Sequence, residues 1–225
     1  MGEDSMVGAA TVLSWSGGKD AAYALFELGT NGVTELLTTI SEDGRTGMHR
    51  VRRELYEKQA DSIGVPIRFV EIPQECVNEV YESRMESVMA AYESHGIERV
   101  AFADLYLEDV RNYRENRLAE TTIEGWWPLW NRDTDEQIRA FLDAGFRATV
   151  AAVDGSVLDA SFAGRELDSA FLADLPDSID PCGENGEFHT FVRDGPIFDS
   201  PIPVTVGKTV TREVGDDEFH YCDLQ

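Results

Sequence analysis

The chain has 225 residues, of which 42% are hydrophobic, 10% aromatic and 28% charged, enough apolar material for a globular core. Forty-three acidic residues against 19 basic ones give a formal charge of −24. That balance excludes a free-standing nucleic-acid binder, which needs a basic face for phosphates, and argues equally against docking on an anionic membrane.

The basic residues are 16 Arg and only three Lys, at positions 19, 58 and 208. The acids are spread along the chain between apolar periods, so they are not a disordered tail. Adaptation to high salt accounts for this surface: carboxylates hold water, and dense salt screens their repulsion. Cys76, Cys182 and Cys222 have no paired spacing, which excludes a disulfide framework or a zinc knuckle. The first ten residues, MGEDSMVGAA, have neither a basic n-region nor an apolar h-region, so no leader is expected. No apolar run reaches spanning length. The expected location is the cytoplasm.

In chain order, residues 10–14 read as a strand that ends at a glycine pair and runs into a helix over 20–28, stopped by Gly29. Residues 33–40 are a second strand, followed by the loop SEDGRTG. A helix is expected over 49–63, with Val51, Leu55, Tyr56, Gln59 and Ile63 on its stripe and Gly64 closing it. Residues 65–72 form a third strand. Residues 74–94 form a long helix with Val77, Val80, Tyr81, Met85, Val88, Met89 and Tyr92 on one stripe. Residues 99–103 are a fourth strand and 107–123 a further helix.

This alternation predicts an α/β fold with a doubly wound, mostly parallel sheet. In such sheets ligands sit beyond the carboxyl ends of the strands, here 14–20, 40–47, 72–74 and 103–105. The composition changes near Gly125, where GWWPLWNRDTD interrupts the alternation. A helix over 134–144 and a strand over 147–153 follow, then strand-like runs at 187–193, 202–206 and near 218–222. The expected division is a sheet domain over 1–128 and a smaller α+β domain over 129–225.

The sharpest motif is Ser14-Trp15-Ser16-Gly17-Gly18-Lys19-Asp20. Glycines between a strand and a helix place backbone N–H groups and the positive helix end around an anion. Ser16 adds a hydroxyl, Lys19 a charge, and Asp20 a helix cap or a Mg²⁺ ligand. The loop is neither a Walker loop nor a dinucleotide fingerprint. Next come His49 at a loop-to-helix junction and the arginines 50, 52 and 53, which either meet an anion or form a solvated face. Asp104 ends the fourth strand, where it either holds Mg²⁺ or caps a helix. Arg111, Arg114 and Arg117 share a helical face, on which they pair with Glu108, Glu115 and Glu120. The third constellation runs from Asp180 to Thr190, where Glu184, Glu187 and His189 converge between glycines; His189 can act as acid or base. Cys182 is read as small and buried, with a thioester role left open. The aromatic cluster at 126–130 is expected to pack.

Four blocks together resemble one family: SWSGGKD, MHRVRRELYEKQADSIGVPI, the stretch from LYLEDVRNYRE to WWPLW, and DPCGENGEFHTF. They resemble the diphthine–ammonia ligase-like family of ATP pyrophosphatases, of the adenine nucleotide alpha-hydrolase-like superfamily, over roughly residues 11–200. The resemblance implies a nucleotide-binding sheet domain, a smaller carboxyl-terminal domain and a cleft between them. It implies ATP converted to AMP and pyrophosphate, a carboxylate activated as its adenylate, and ammonia displacing AMP to give an amide. Ligase members act on diphthine in elongation factor 2. On this resemblance Ser14, Ser16, Gly17, Gly18, Lys19 and Asp20 hold pyrophosphate, and Thr39 and His49 contact nucleotide. Asp20 and Asp104 hold Mg²⁺, and Asp104, Glu184, Glu187 and His189 serve the transfer. Ala21 stands where the family carries Ser or Thr. Two other readings share the loop: a relative with another small-molecule substrate, cobalamin-linked in one branch, and a nucleotide sensor without turnover. A homodimer is an open option. If salt adaptation is right, the melting temperature rises as KCl goes from dilute to molar; an unchanged melting temperature refutes it.

Overall fold

The computed structural model describes residues 9–73, 78–215 and 217–225. The first half alternates strand and helix: β1 (Thr11–Ser14), α1 (Lys19–Leu28), β2 (Glu35–Ser41), α2 (Arg53–Ile63), β3 (Ile67–Ile72), α3 (Asn78–Ser94), β4 (Arg99–Ala101), α4 (Glu108–Leu118) and β5 (Glu124–Trp126). The five strands are parallel, in the order β3-β2-β1-β4-β5. The sheet is doubly wound, as the alternation predicts. The winding reverses at β1, which has β2 on one side and β4 on the other. A crevice therefore opens beyond the carboxyl ends of β1 and β4.

The pleat sorts side chains by period two. Leu13 and Leu36 join a core with Leu25 of α1 and Leu55 and Tyr56 of α2. Their neighbours Val12, Leu37, Val70 and Val100 face the other way, onto Met89 and Tyr92 of α3 and Leu118 of α4.

The second half supplies α5 (Thr134–Asp143), β6 (Arg147–Asp154), α6 (Ser169–Asp174), β7 (Phe188–Asp194), β8 (Val206–Val214) and β9 (Asp217–Leu224). Its four strands are antiparallel, in the order β7-β6-β9-β8. The inner strand β6 is buried from Ala148 to Val153. Its Ala148, Val150, Ala151 and Val153, with Phe188 and Phe191 of β7, belong to the same core as α1 and α2. One apolar body thus spans both sheets and fixes β7 against the loop after β1.

Several elements differ from the sequence expectation. The helix expected from 49 begins at Arg53, because residues 44–50 fold as a turn: Thr46 N–H bonds to Val51 carbonyl, and Arg50 is left-handed at φ 51°. The helix after 107 stops at Leu118, where Thr121 bonds back to the Leu118 carbonyl. The run at 202–206 is not a strand; Pro201 and Pro203 lack ladder donors, and pairing begins at Val206. Strand β5 lies in the aromatic stretch, where the sequence pattern predicts no strand. Of the α3 stripe, Met89 and Tyr92 are buried, Val80 and Tyr81 are exposed, and Val77 lies outside the described residues. Positions 74–76 at the expected start of that helix also lie outside them. No described helix is long and apolar enough to cross a membrane.

The basic block at 45–53 is largely absorbed by ion pairs. Arg50 pairs with Asp43, and Arg53 with Glu57. Arg45 and Arg52 both grip Asp223 of β9, at 2.7 Å each, clamping the β2–α2 turn to the second sheet. The Arg52 hydrogen bonds hold the Asp223 carboxyl well below its ordinary value, and Arg45 adds to this. A depressed carboxylate stabilises the fold above its unfolded pKa of about 3.9 and loses that contribution as pH falls below it. Asp223→Asn should therefore cost about 1–2 kcal/mol near pH 7 and progressively less as pH falls from 4 to 2, read by urea melts across that range. An equal cost at every pH would refute the clamp.

Candidate active site

Strand β1 ends at Ser14, and the chain turns sharply into α1. Gly17 has φ +70°, and a Cβ there would lie 2.8 Å from both Gln59 Oε1 and the Tyr56 ring. Only glycine fits that position. Gly18 is extended and caps α1 with no side-chain bond of its own; Thr190 takes the Lys19 N–H, and the Asp20 and Ala21 N–H groups have no partner among the described residues. A Cβ on Gly18 would meet the Thr190 carbonyl at 3.1 Å, His49 Nε2 at 3.2 Å and Ser16 Oγ at 3.3 Å. The missing side chain leaves a cradle at a positive helix end.

The loop is held from behind by one side chain. Gln59 on α2 is fully buried. Its Oε1 accepts from Trp15 Nε1 at 3.0 Å, and its Nε2 donates to the carbonyls of Gly17 (3.1 Å) and Val192 (2.6 Å). Tyr56 O–H donates to the Ser16 carbonyl at 2.6 Å. From the second sheet, Val192 N–H donates to the Gly17 carbonyl (2.9 Å), and Thr190 Oγ1 accepts from Lys19 N–H (3.0 Å).

In front of the loop lies an open cleft of about 730 Å³ including its mouth. Ser14, Ser16, Gly18, Lys19, Asp20 and His49 line one part; Asp104, Glu184 and His189 line the rest. The structure brings these nine sequence candidates together. Three others are elsewhere. Gly17 lies behind the loop, and Thr39 sits within β2 opposite Val70. Glu187 is buried, and its carboxylate accepts from Asp180 N–H, Asn185 N–H and Asn185 Nδ2. It organises the turn that presents Glu184.

The charges in the cleft are partly cancelled. Lys19 Nζ lies 2.6 Å from Asp20 Oδ2. Burial opposes the Lys19 charge, but Asp20 and Glu184 outweigh it, so its pKa is raised and the ammonium persists. Asp104 receives Arg114 and, at 3.3 Å, Trp127 Nε1. Arg114 also stacks on Phe102 at 4.4 Å, while Arg111 lies between Trp127 and Trp130 at 4.6 and 4.7 Å. Arg111 keeps its expected bond to Glu115, and Arg117 pairs with Glu82, but Arg114 turns into the cleft. The aromatic cluster packs, and it does so around arginines.

Burial, aided by Asp20, pushes the Glu184 carboxyl up to about 7, against the Leu105 N–H it accepts at 2.7 Å. Burial, with Lys19 near, lowers His189 to about 4. Burial lowers His49 as well, helped by His189 and Lys19. Both imidazoles are neutral at pH 7, with centroids 4.8 Å apart. The thiol of buried Cys182 donates to the Thr134 carbonyl at 3.2 Å and is pushed up to about 12 by burial. That leaves no thiolate for thioester chemistry at neutral pH.

Sequence reasoning missed Arg114 and Thr190 as cleft residues, and Gln59 as the loop's support. An amide inside an otherwise apolar helical stripe was the available signal for Gln59. Nothing local marked Thr190, which meets the loop from 171 residues away.

A glycine-rich cradle at the winding reversal of a parallel sheet, walled by acids and neutral histidines, defines an α/β protein built to hold an anionic ligand. Residues 9–122 match the diphthamide synthase N-terminal domain and residues 133–221 the diphthamide synthase C-terminal domain, and the chain belongs to that family. It is 21% identical to a diphthine–ammonia ligase of Bos taurus, over 88% of this chain and 83% of that protein. Against the diphthine–ammonia ligases of Homo sapiens and Mus musculus it is 22% identical, over 87% of this chain and 82% of each.

Replacing Gln59 by Leu removes three buried hydrogen bonds and leaves the Trp15 indole N–H without its acceptor, so it should cost about 3 kcal/mol. Urea unfolding checks this; a cost under 1 kcal/mol would refute the central role of that amide.

Proposed function

We propose that this chain is an ATP-dependent amide ligase of the diphthine–ammonia ligase type. It activates a carboxylate as its adenylate, releases pyrophosphate, and lets ammonia displace AMP. The observation that carries the reading is the meeting, in one cleft, of the Gly18 cradle with Asp104, Glu184 and His189 from three separate parts of the chain. The family membership and the named relatives support the same reaction.

In this reading the α1 amides, Ser16 and Lys19 bind the phosphates, and Ser14 shapes the end of the cradle. Neutral His49 can donate one N–H to a phosphate oxygen without adding charge. The nucleotide belongs to residues 1–128 and the acid to residues 129–225, which supply Glu184 and His189. The acid is diphthine carried on elongation factor 2. Mg²⁺ fits the acids present: Asp20 and Asp104 line the same cleft, and two carboxylates with phosphate oxygens are a set this ion takes. Among the described residues no three acidic, His or Cys side chains converge to hold a metal unaided, so the nucleotide would complete the set. Bound there, the ion would neutralise charge on the departing pyrophosphate. Lys19 and Arg114, now paired with those acids, would then turn to the phosphates.

Nucleotide product analysis tests the reading. With Mg·ATP, ammonium and high KCl, AMP should form only when diphthine-bearing elongation factor 2 is present. AMP without the factor moves the substrate elsewhere, and ADP in place of AMP overturns the reaction. Gly17→Val, which drives a side chain into Gln59 and Tyr56, should lower AMP formation by at least about a hundredfold, the scale of lost phosphate positioning. Full turnover in that variant would sink the loop assignment.

A further inference from the structure

The carboxylates facing the cleft are not equally neutralised. Asp20 has Lys19, and Asp104 has Arg114. Glu184 is half-buried on the same wall and has no cationic partner among the described residues; its Oε1 takes only the Leu105 N–H. Other charges bear on it from every side: Lys19 and Asp20 at the start of α1, and Asp104 after β4. Asp180 adds a further acid nearby, its Oδ1 accepting the Cys182 and Glu184 N–H groups. The wall therefore keeps one carboxyl group without a cationic partner after the internal pairs are formed, and a bound cation would hold it ionised.

A second observation comes from another strand. His189 Nε2 is buried and has no hydrogen-bond partner among the described residues. The ring is neutral, so with its proton on Nδ1 this nitrogen is a bare acceptor. Buried polar atoms without partners mark places where a ligand completes the set. Phe188, between Glu187 and His189, also lines the cleft, and its ring already faces the Lys19 ammonium at 5.9 Å. An aromatic face suits a small cation.

We propose that Glu184 and His189 form the binding site for the ammonium ion, the nitrogen source of the ligase reaction, with Phe188 as its apolar wall. The proposal rests on the ligase reading above. Ammonium offers four N–H donors and one positive charge, which the free Glu184 oxygen and His189 Nε2 accept. The site gathers nitrogen from dilute ammonium beside the point where the acyl adenylate would lie. An overall charge of −24 draws cations toward such a cleft.

The test is steady-state kinetics on E184Q and H189F, with diphthine-bearing elongation factor 2, Mg·ATP and sodium as the only other monovalent cation. E184Q should raise the KM for ammonium by about tenfold or more, the cost of one charge-assisted contact. The KM for ATP should move by less than a third of that factor. H189F should raise the ammonium KM by at least about threefold. Hydroxylamine, uncharged at neutral pH, needs no anionic site, so its rate in E184Q should fall far less than the ammonium rate. Equal losses with both nucleophiles, an unchanged ammonium KM in either variant, or an equal rise in the ATP KM would overturn the site. Circular dichroism of both variants separates these results from misfolding. If the wild type forms no factor-dependent AMP, or forms it without making amide when ammonium is added, the ligase reading fails first and the proposal falls with it.

Discussion

The Gln59 carboxamide joins four parts of the molecule at one buried point. It takes the Trp15 indole proton and gives its own two protons to Gly17 and Val192. Thus β1, the glycine loop, α2 and the second sheet share one polar joint inside an apolar core. A buried amide is stable only when all its bonds are made, so this joint tolerates one arrangement of its neighbours. That arrangement turns the Ser16 and Gly17 carbonyls inward. The positive φ of Gly17 follows from the same constraint, since any side chain there would strike Gln59 and Tyr56. The anion cradle is in this sense the front face of a hydrogen-bonded joint.

Electrostatics complete the cleft. The chain is strongly acidic, yet a cradle for an anion needs positive character. It obtains this from the start of α1 and from a lysine kept charged by surrounding acids, while the buried histidines stay neutral and add no charge. None of these sources requires a basic surface. The cationic arginines are mostly committed: Arg45 and Arg52 to Asp223, Arg114 to Asp104, Arg111 to two indoles. Arginine suits these tasks because its planar group bonds at its edge while stacking on its face. Helix α4 buries only Leu118, and these stacks and ion pairs supply much of its attachment to the sheet.

Much of the first half was legible because parallel sheets impose strong local signals. Residues 11–14 and 35–41 carry β-branched and apolar residues between helices with 3.6-residue stripes, and both are strands. The glycine pair and Asp104 were readable as site residues because strand ends at a winding reversal are where ligands bind. The second half was less legible. Strand β8 is exposed along nearly its whole length, so it carries no apolar alternation to reveal it. Strand β5 has three residues, too few for a period. Glu184 and Glu187 look equivalent in sequence, but one reaches the cleft and the other is spent on its own turn.

The sequence by itself determined the α/β class, the loop that ends β1, and the family resemblance, because each depends on residues adjacent in the chain. Hydrophobic period, glycine spacing and helix stops are local properties. Tertiary structure decided which charges remain available. Arg52 was neutralised by Asp223 across 171 positions, and Lys19 found Thr190 across the same separation. Whether a carboxylate is paired, buried or free depends on what the core brings beside it, and local sequence carries no record of that.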